Sequence, residues 1–141
     1  MLKGLSATLL LLLVGLVCTT YIALEVGGVV SVRTISAFSG TRTTHVWYVE
    51  DGGSIFLEAS HPASSWVKDL SLFETIHIED DVIGGRYTFS IDHSESAHAK
   101  IRRMMRQKYG WRDMWVSLLF DVSLSQLVEL EKVPWPDKTM T

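Results

Sequence analysis

The side chains equipped to hold an anion fall into two groups. The first joins Arg42, Thr43 and Thr44 to Ser60, His61, Ser64, Ser65 and Lys68. A guanidinium and several hydroxyls beside a helix start make a phosphate cradle, because the helix end adds unpaired N–H groups and a positive dipole. The same residues also read as plain structure, with Ser64 or Ser65 capping the helix and Arg42 solvated. The second group is Lys100, Arg102, Arg103, Arg106, Lys108 and Arg112. On a helix, Arg102, Arg103 and Arg106 share a side away from Ile101 and Met104. Such a run forms a solvated face, rests on anionic lipid headgroups or meets an acidic cofactor tail.

Other chemistries lack their residues. There is no Gly-x-Ser-x-Gly elbow, no P-loop and no Gly-x-Gly-x-x-Gly. His45, His61, His77, His93 and His98 form no His-x-x-x-His or His-Glu-x-x-His pair, so no metal site is expected. Cys18 is the single cysteine, which excludes an internal disulfide and a cysteine-based zinc site. A formal net charge of −3 argues against a nucleic-acid partner.

The elements that must position these groups follow an apolar start. Residues 4–24 carry no charge and include an unbroken leucine run at 9–13. As a helix this stretch spans roughly 30 Å, the thickness of a bilayer core. An uncleaved single-pass anchor over residues 1–27 is the expectation, against three alternatives. A signal peptide would put Ala23 at −1 but Tyr21 at −3. A lipoprotein site would have Val17 before Cys18, and a core helix this long is unusual in so small a domain. Arg33 and Arg42 beyond the helix, against Lys3 before it, favour a cytoplasmic carboxyl-terminal domain.

Residues 28–133 form the domain, and residues 134–141 read as a mobile tail. A strand over 29–35 leads through Ser39-Gly40 into a second, where Val46, Tyr48 and Glu50 alternate with His45, Trp47 and Val49. Neither set is purely polar, as expected when one face packs a barrel interior and the other meets a helix or a partner. Asp51-Gly52-Gly53 is a hairpin turn, and a third strand ends at Ser60. A short helix over 63–72 precedes an alternating strand at 75–79. Asp80-Asp81 and Gly84-Gly85 mark turns or a bulge before a strand over 86–92, with Tyr87, Phe89 and Ile91 on one face. Asp92 and Glu95 propose a capping box for a helix running to Tyr109, with Ala97, Ile101, Met104 and Met105 as its buried stripe. Another helical turn or two lies within 111–120, and a last strand covers 127–133. Six strands, with helices after the third and fifth, predict a mainly β fold, a small antiparallel barrel.

Order and spacing together carry a family resemblance. Val32-Arg33-Thr34, Gly40-x-Arg42-x-Thr44-x-Val46-Trp47-x-Val49-x-Asp51-Gly52, Leu57-x-Ala59-Ser60 and Ser65-Trp66-x-x-x-Leu70 resemble the FMN-binding split-barrel superfamily, the pyridoxamine phosphate oxidase-like proteins. Lys108-Tyr109-Gly110 and Leu127-Val128-x-Leu130-Glu131 are similar to its deazaflavin (coenzyme F420)-dependent nitroreductase and quinone reductase branch. The resemblance implies a small antiparallel split β-barrel, often a homodimer. It implies a cofactor phosphate held by Arg42, Thr44, Ala59, Ser60 and Trp66, to which the cradle adds Ser65 and Lys68. It places Tyr109 on the substrate side. Hydride transfer on the cofactor requires no acid or base from the protein.

Two departures leave the cofactor open. Ser39-Gly40-Thr41-Arg42 stands where deazaflavin users commonly have Gly-Arg-Lys-Ser-Gly, and His61-Pro62 replaces a Gly-Gly after Ala-Ser. FMN, coenzyme F420, haem or no cofactor all remain. The expectation is a membrane-anchored flavin- or deazaflavin-dependent oxidoreductase acting on a small quinone- or nitro-type acceptor. The alternative is a non-catalytic split-barrel module that binds a cofactor, haem or a protein partner.

Overall fold

Residues 2–36 and 40–134 are described by a computed structural model. An apolar helix, α1 (Leu2–Glu25), precedes β1 (Val29–Ser36), β2 (Gly40–Asp51) and β3 (Ser54–Ala59). After α2 (Ser65–Leu70) come β4 (Thr75–Glu79), β5 (Gly85–Asp92), α3 (Glu95–Tyr109), α4 (Trp111–Leu119) and β6 (Gln126–Lys132). The six strands close into an antiparallel barrel in the order β1-β2-β3-β6-β5-β4. The barrel and the two inserted helices are those the sequence predicts. Ser39 and residues 135–141, where a turn and a mobile tail were expected, lie outside the described residues.

Alternation in β2 separates the two cores. Val46 and Tyr48 face the barrel interior with Val32, Leu57, Tyr87 and Val128. Trp47 and Val49 face outward and lie under α3, with Phe56 of β3 and Leu127 of β6. The α3 stripe of Ala97, Ile101, Met104 and Met105 covers them as predicted, and Tyr109 extends it. Ile101 and Met105 are fully buried, and each such side chain contributes about 1.5–3 kcal/mol. Trp66, Val67 and Leu70 of α2 join the barrel interior. At the hairpin, Asp51 pairs with Ser54 across Gly52 and Gly53, whose φ values of 60° and 88° match a two-residue primed turn.

Two helix starts differ from the sequence expectation. Helix α2 begins at Ser65, because His61 holds the preceding turn: its Nδ1 accepts from Ala63 N–H at 2.9 Å and its carbonyl from Ser64 N–H at 3.0 Å. Helix α3 begins at Glu95 with Ser94 as its cap, the Ser94 hydroxyl accepting from Ala97 N–H at 3.2 Å. Asp92 does not cap it, because β5 continues through Asp92 to pair with Leu127. Its carboxylate instead accepts Ser94 N–H at 2.8 Å.

Within α1, the 20 residues Ser6–Glu25 include an 18-residue stretch of mean hydropathy 2.3, long and apolar enough to cross a bilayer. Almost none of it is buried against the rest of the chain. The same length and composition also fit a signal sequence.

Candidate functional site

Past the filled barrel interior, Arg42 and Thr44 continue the face of β2 that carries Val46. There they meet the turn between β3 and α2, and a cleft of about 550 Å³ opens between them. Arg42, Thr44, Ser60, Ser64, Ser65 and Trp66 line it. His45 and Trp47 of β2, Glu58 of β3, Leu24 and Glu25 of α1 and Val116 of α4 complete the walls. Five residues expected at a cofactor, Arg42, Thr44, Ser60, Ser65 and Trp66, are therefore brought together from three segments. A second hollow of about 550 Å³ lies between the β2–β3 hairpin and α3, lined by Glu50, Asp51, Lys100 and Arg103 but by no hydroxyl side chain.

Arg42 is oriented while partly solvated, its side chain 35% exposed. Its Nε donates to Asp69 Oδ2 on α2 at 3.0 Å, and the Thr34 hydroxyl donates to the same oxygen at 3.0 Å. Ser64 sits at the N-cap position of α2 yet makes no side-chain capping bond. The capping alternative for Ser64 is thus not realised, and its hydroxyl lies on the cleft. Helix α2 has only six residues, so an anion here would depend on hydroxyls and Arg42 more than on a dipole.

Three expected residues lie elsewhere. Ala59 is fully buried in the barrel interior, where it pairs with Gln126. Lys68 is exposed on α2 and outside the cleft lining. Tyr109 is buried behind β2, its ring stacked on Trp47 with centroids 4.2 Å apart and planes 13° from parallel. The Tyr109 hydroxyl accepts Tyr48 N–H at 3.0 Å and donates between the carbonyls of Tyr48 and Gly28. It ties the start of β1 to β2 and α3, and it does not reach the cleft lining.

The basic run on α3 and α4 divides: Arg103 and Arg106 stay exposed, as a solvated face expects, while Arg102 and Arg112 are turned into the protein. Arg102 Nη1 lies 2.5 Å from Glu58 Oε1, while Nη2 lies 2.5 Å from Asp113 Oδ1 and 2.9 Å from Ser117 Oγ. The Glu58 side chain is 8% exposed and that of Asp113 0%. Burial pushes the Glu58 carboxyl above the usual glutamate range, Arg102 pulls it back, and the nearby Asp113 charge adds to the rise. Lys108 donates to the Tyr48 carbonyl at 2.8 Å, and Lys100 lies 4.1 Å above the Phe56 ring. Arg112 donates to the carbonyls of Ala23 and Gly27 at 2.8 and 2.9 Å.

Glu58 and Arg102 had one legible signal. Glu58 shares the face of β3 that carries Phe56, and that face lies under α3, so a carboxylate there requires a cation from the helix. The cleft's link to α1 had none. Trp47 Nε1 donates to the Leu24 carbonyl at 3.2 Å, and His45 Nδ1 lies 2.7 Å from Glu25 Oε2.

No family model matches the chain, and neither does any curated protein. Solved structures do. A conserved hypothetical protein from Mycobacterium tuberculosis is 13% identical over 83% of this chain and 79% of its own, with a TM-score of 0.57. HutZ, described as the haem storage protein from Vibrio cholerae, is 14% identical over 80% and 87%, at 0.56. An F420-H2 dependent reductase is 19% identical over 74% and 94%, at 0.51. At such identities the likeness is one of fold. The chain has the antiparallel split-barrel fold of the pyridoxamine phosphate oxidase-like and F420-reductase proteins, which its sequence resembles.

Proposed function

We propose that the chain is a membrane-anchored oxidoreductase whose cleft holds FMN or coenzyme F420 and serves a quinone- or nitro-type acceptor. The observation that carries this reading is the convergence of Arg42, Thr44, Ser60, Ser65 and Trp66 on one cleft. The residues fit the group. Arg42 and the hydroxyls of Thr44, Ser60, Ser64 and Ser65 would hold its phosphate, and Trp47, Leu24 and Val116 give apolar wall to a planar ring. A flavin or deazaflavin bound there would supply the hydride chemistry. The chain's own residues would bind it, orient it and exclude water. The fold shared with an F420-H2 dependent reductase supports the same assignment. In this reading α1 is the anchor, and the barrel lies in the cytoplasm on the side of Arg33 and Arg42. A homodimer would close the open side of the cleft.

A visible spectrum of the detergent-purified chain, followed by titration with FMN and with coenzyme F420, tests this reading. Saturable binding of either supports it. A chain that binds neither removes it. A second reading, a non-catalytic module holding haem, is favoured by His45, which brings an imidazole to the cleft wall, and by the fold shared with HutZ. A Soret band without turnover of reduced cofactor would select it.

A further inference from the structure

We infer that α4 is an interfacial helix, its apolar face lying in the headgroup layer of a lipid bilayer beside the carboxyl-terminal end of α1. The inference rests on the reading of α1 as a membrane span.

Helix α4 carries its buried polar groups inside, beside a half-buried Val116, and most of its apolar residues outside. The side turned to the barrel carries Asp113 and Ser117, both bonded to Arg102. The side turned away carries Trp111, Met114 and Leu118, which are 54%, 62% and 78% exposed. Their spacing of three and four residues makes one stripe along the helix. Leu119, Phe120 and Leu124 are exposed just beyond it. A surface helix in water has the opposite arrangement, and a contiguous apolar patch marks a partner or a membrane.

Position selects the membrane. The apolar part of α1 is Ser6–Glu25, and α4 is fastened to its last turns and to the chain just beyond. Trp115 Nε1 donates to the Thr20 hydroxyl at 3.1 Å, and Arg112 donates to the carbonyls of Ala23 and Gly27. A helix of this length matches a hydrocarbon core of roughly 30 Å, so its end, and α4 with it, emerges at headgroup level. Tyr21, Trp111 and Trp115 then occupy the aromatic belt of the interface. Arg112 sits at the carboxyl-terminal end of α1, where a cation is favourable to the helix dipole. The exposed surfaces of α1 and α4 are adjacent, and one lipid phase covers both.

This placement reaches the cleft. Leu24 and Glu25 of α1 and Val116 of α4 form part of its wall, so the cleft mouth lies at the lipid boundary. An acceptor dissolved in the bilayer would enter without crossing bulk water. The contact that seats the barrel is the apolar face of α4; on α3, Arg102 is turned inward to Glu58 and Asp113, while Arg103 and Arg106 stay exposed.

Spin labels read the depth of both helices in the full chain reconstituted into phosphatidylcholine–phosphatidylglycerol vesicles. Native Cys18, exposed on α1, carries the first label. Leu118→Cys in a Cys18→Ser chain carries the second, and Ser71→Cys in the same background is the aqueous control. Collisions with oxygen and with a nickel chelate give the depth. The expected result is a deep Cys18 label and a Leu118 oxygen-to-nickel ratio about threefold or more above the control. A Leu118 ratio equal to the control, with Cys18 deep, overturns the interfacial helix and leaves the anchor standing. Low collision with both reagents at Leu118 means protein cover, such as a second copy, and also overturns it. A Cys18 label open to the nickel chelate removes the anchor reading and this inference together.

Discussion

Arg42 Nε lies 3.0 Å from Asp69 Oδ2, which joins the middle of the cleft wall to helix α2. Thr34, the cross-strand neighbour of Arg42, donates to the same oxygen. Arg42 therefore holds α2 in place and offers its outer nitrogens to the cleft. Arg42→Ala is expected to weaken FMN or F420 binding about tenfold or more, a loss of about 1.4 kcal/mol. It should also lower stability by about 1 kcal/mol, a modest figure because the guanidinium is partly solvated. Asp69→Asn is expected to lower stability similarly while holding or raising affinity, since it releases Arg42. Calorimetric titration and urea unfolding of both variants check this. Equal affinity losses in the two would deny Arg42 a direct role.

Glu58 and Asp113 share the guanidinium of Arg102, and of the two only Asp113 has a second cation near it, the exposed Arg106 at 3.7 Å. The Glu58 carboxyl binds its proton more tightly in the folded chain than in the unfolded one. Stability from this group is therefore greatest at low pH. It falls as pH rises from the ordinary glutamate value of 4.5 through the raised folded value, and is level above that. Glu58→Gln is expected to remove this fall, visible in urea unfolding as a difference between the two chains that changes as pH rises above 4.5. Parallel profiles for the two chains would refute the shift. Arg102→Ala strands Glu58, leaves Asp113 only Arg106 at 3.7 Å, and is expected to cost about 3–5 kcal/mol.

Tyr109 is a staple in this structure, although the family resemblance places it beside substrate. Burial pushes its hydroxyl above the usual tyrosine range, so it stays a neutral donor. Tyr109→Phe leaves the ring on Trp47 but deprives the Gly28 carbonyl of its donor and the Tyr48 N–H of its acceptor, while Lys108 still bonds the Tyr48 carbonyl. The expected outcome is a loss of about 1–2 kcal/mol in unfolding free energy, with cofactor affinity and acceptor KM unchanged. A raised KM with unchanged melting would put Tyr109 on the substrate side instead.

The barrel was legible because a strand repeats every two residues. In β2 the alternation of Val46 and Tyr48 with Trp47 and Val49 announces both the barrel interior and the α3 layer. The gathering of Arg42, Thr44, Ser60 and Ser65 was legible through the spacing of the resemblance. Arg102 was legible only through Glu58, because helix periodicity alone treats an arginine next to the buried stripe as solvated. The carboxylate that draws it inward stands 44 residues away on β3. Asp69 escaped for the same reason: its partners Thr34 and Arg42 become neighbours only when β1 pairs with β2. Ala59 and Tyr109 keep the positions their motifs require, yet their side chains turn into the core.

Gly28 and Gly27 separate conformational strain from close packing at the junction of α1 and the barrel. Both have left-handed backbones, φ 70° and 74°, which alanine adopts at a cost of about 1–2 kcal/mol. A Cβ on Gly27 meets nothing within 4 Å, whereas one on Gly28 lies 2.8 Å from Tyr109 Cε1. The Tyr109 ring cannot simply retreat, because it is stacked on Trp47. Gly28→Ala must therefore shift the staple or the start of β1, and overpacking of this kind adds about 1–3 kcal/mol. Urea unfolding is expected to show a loss for Gly28→Ala about twice that for Gly27→Ala. The Trp47 fluorescence change should be confined to the Gly28 variant, since only there does its stacked partner move. Equal losses with unchanged fluorescence would mean that the Tyr109 ring yields freely at this junction.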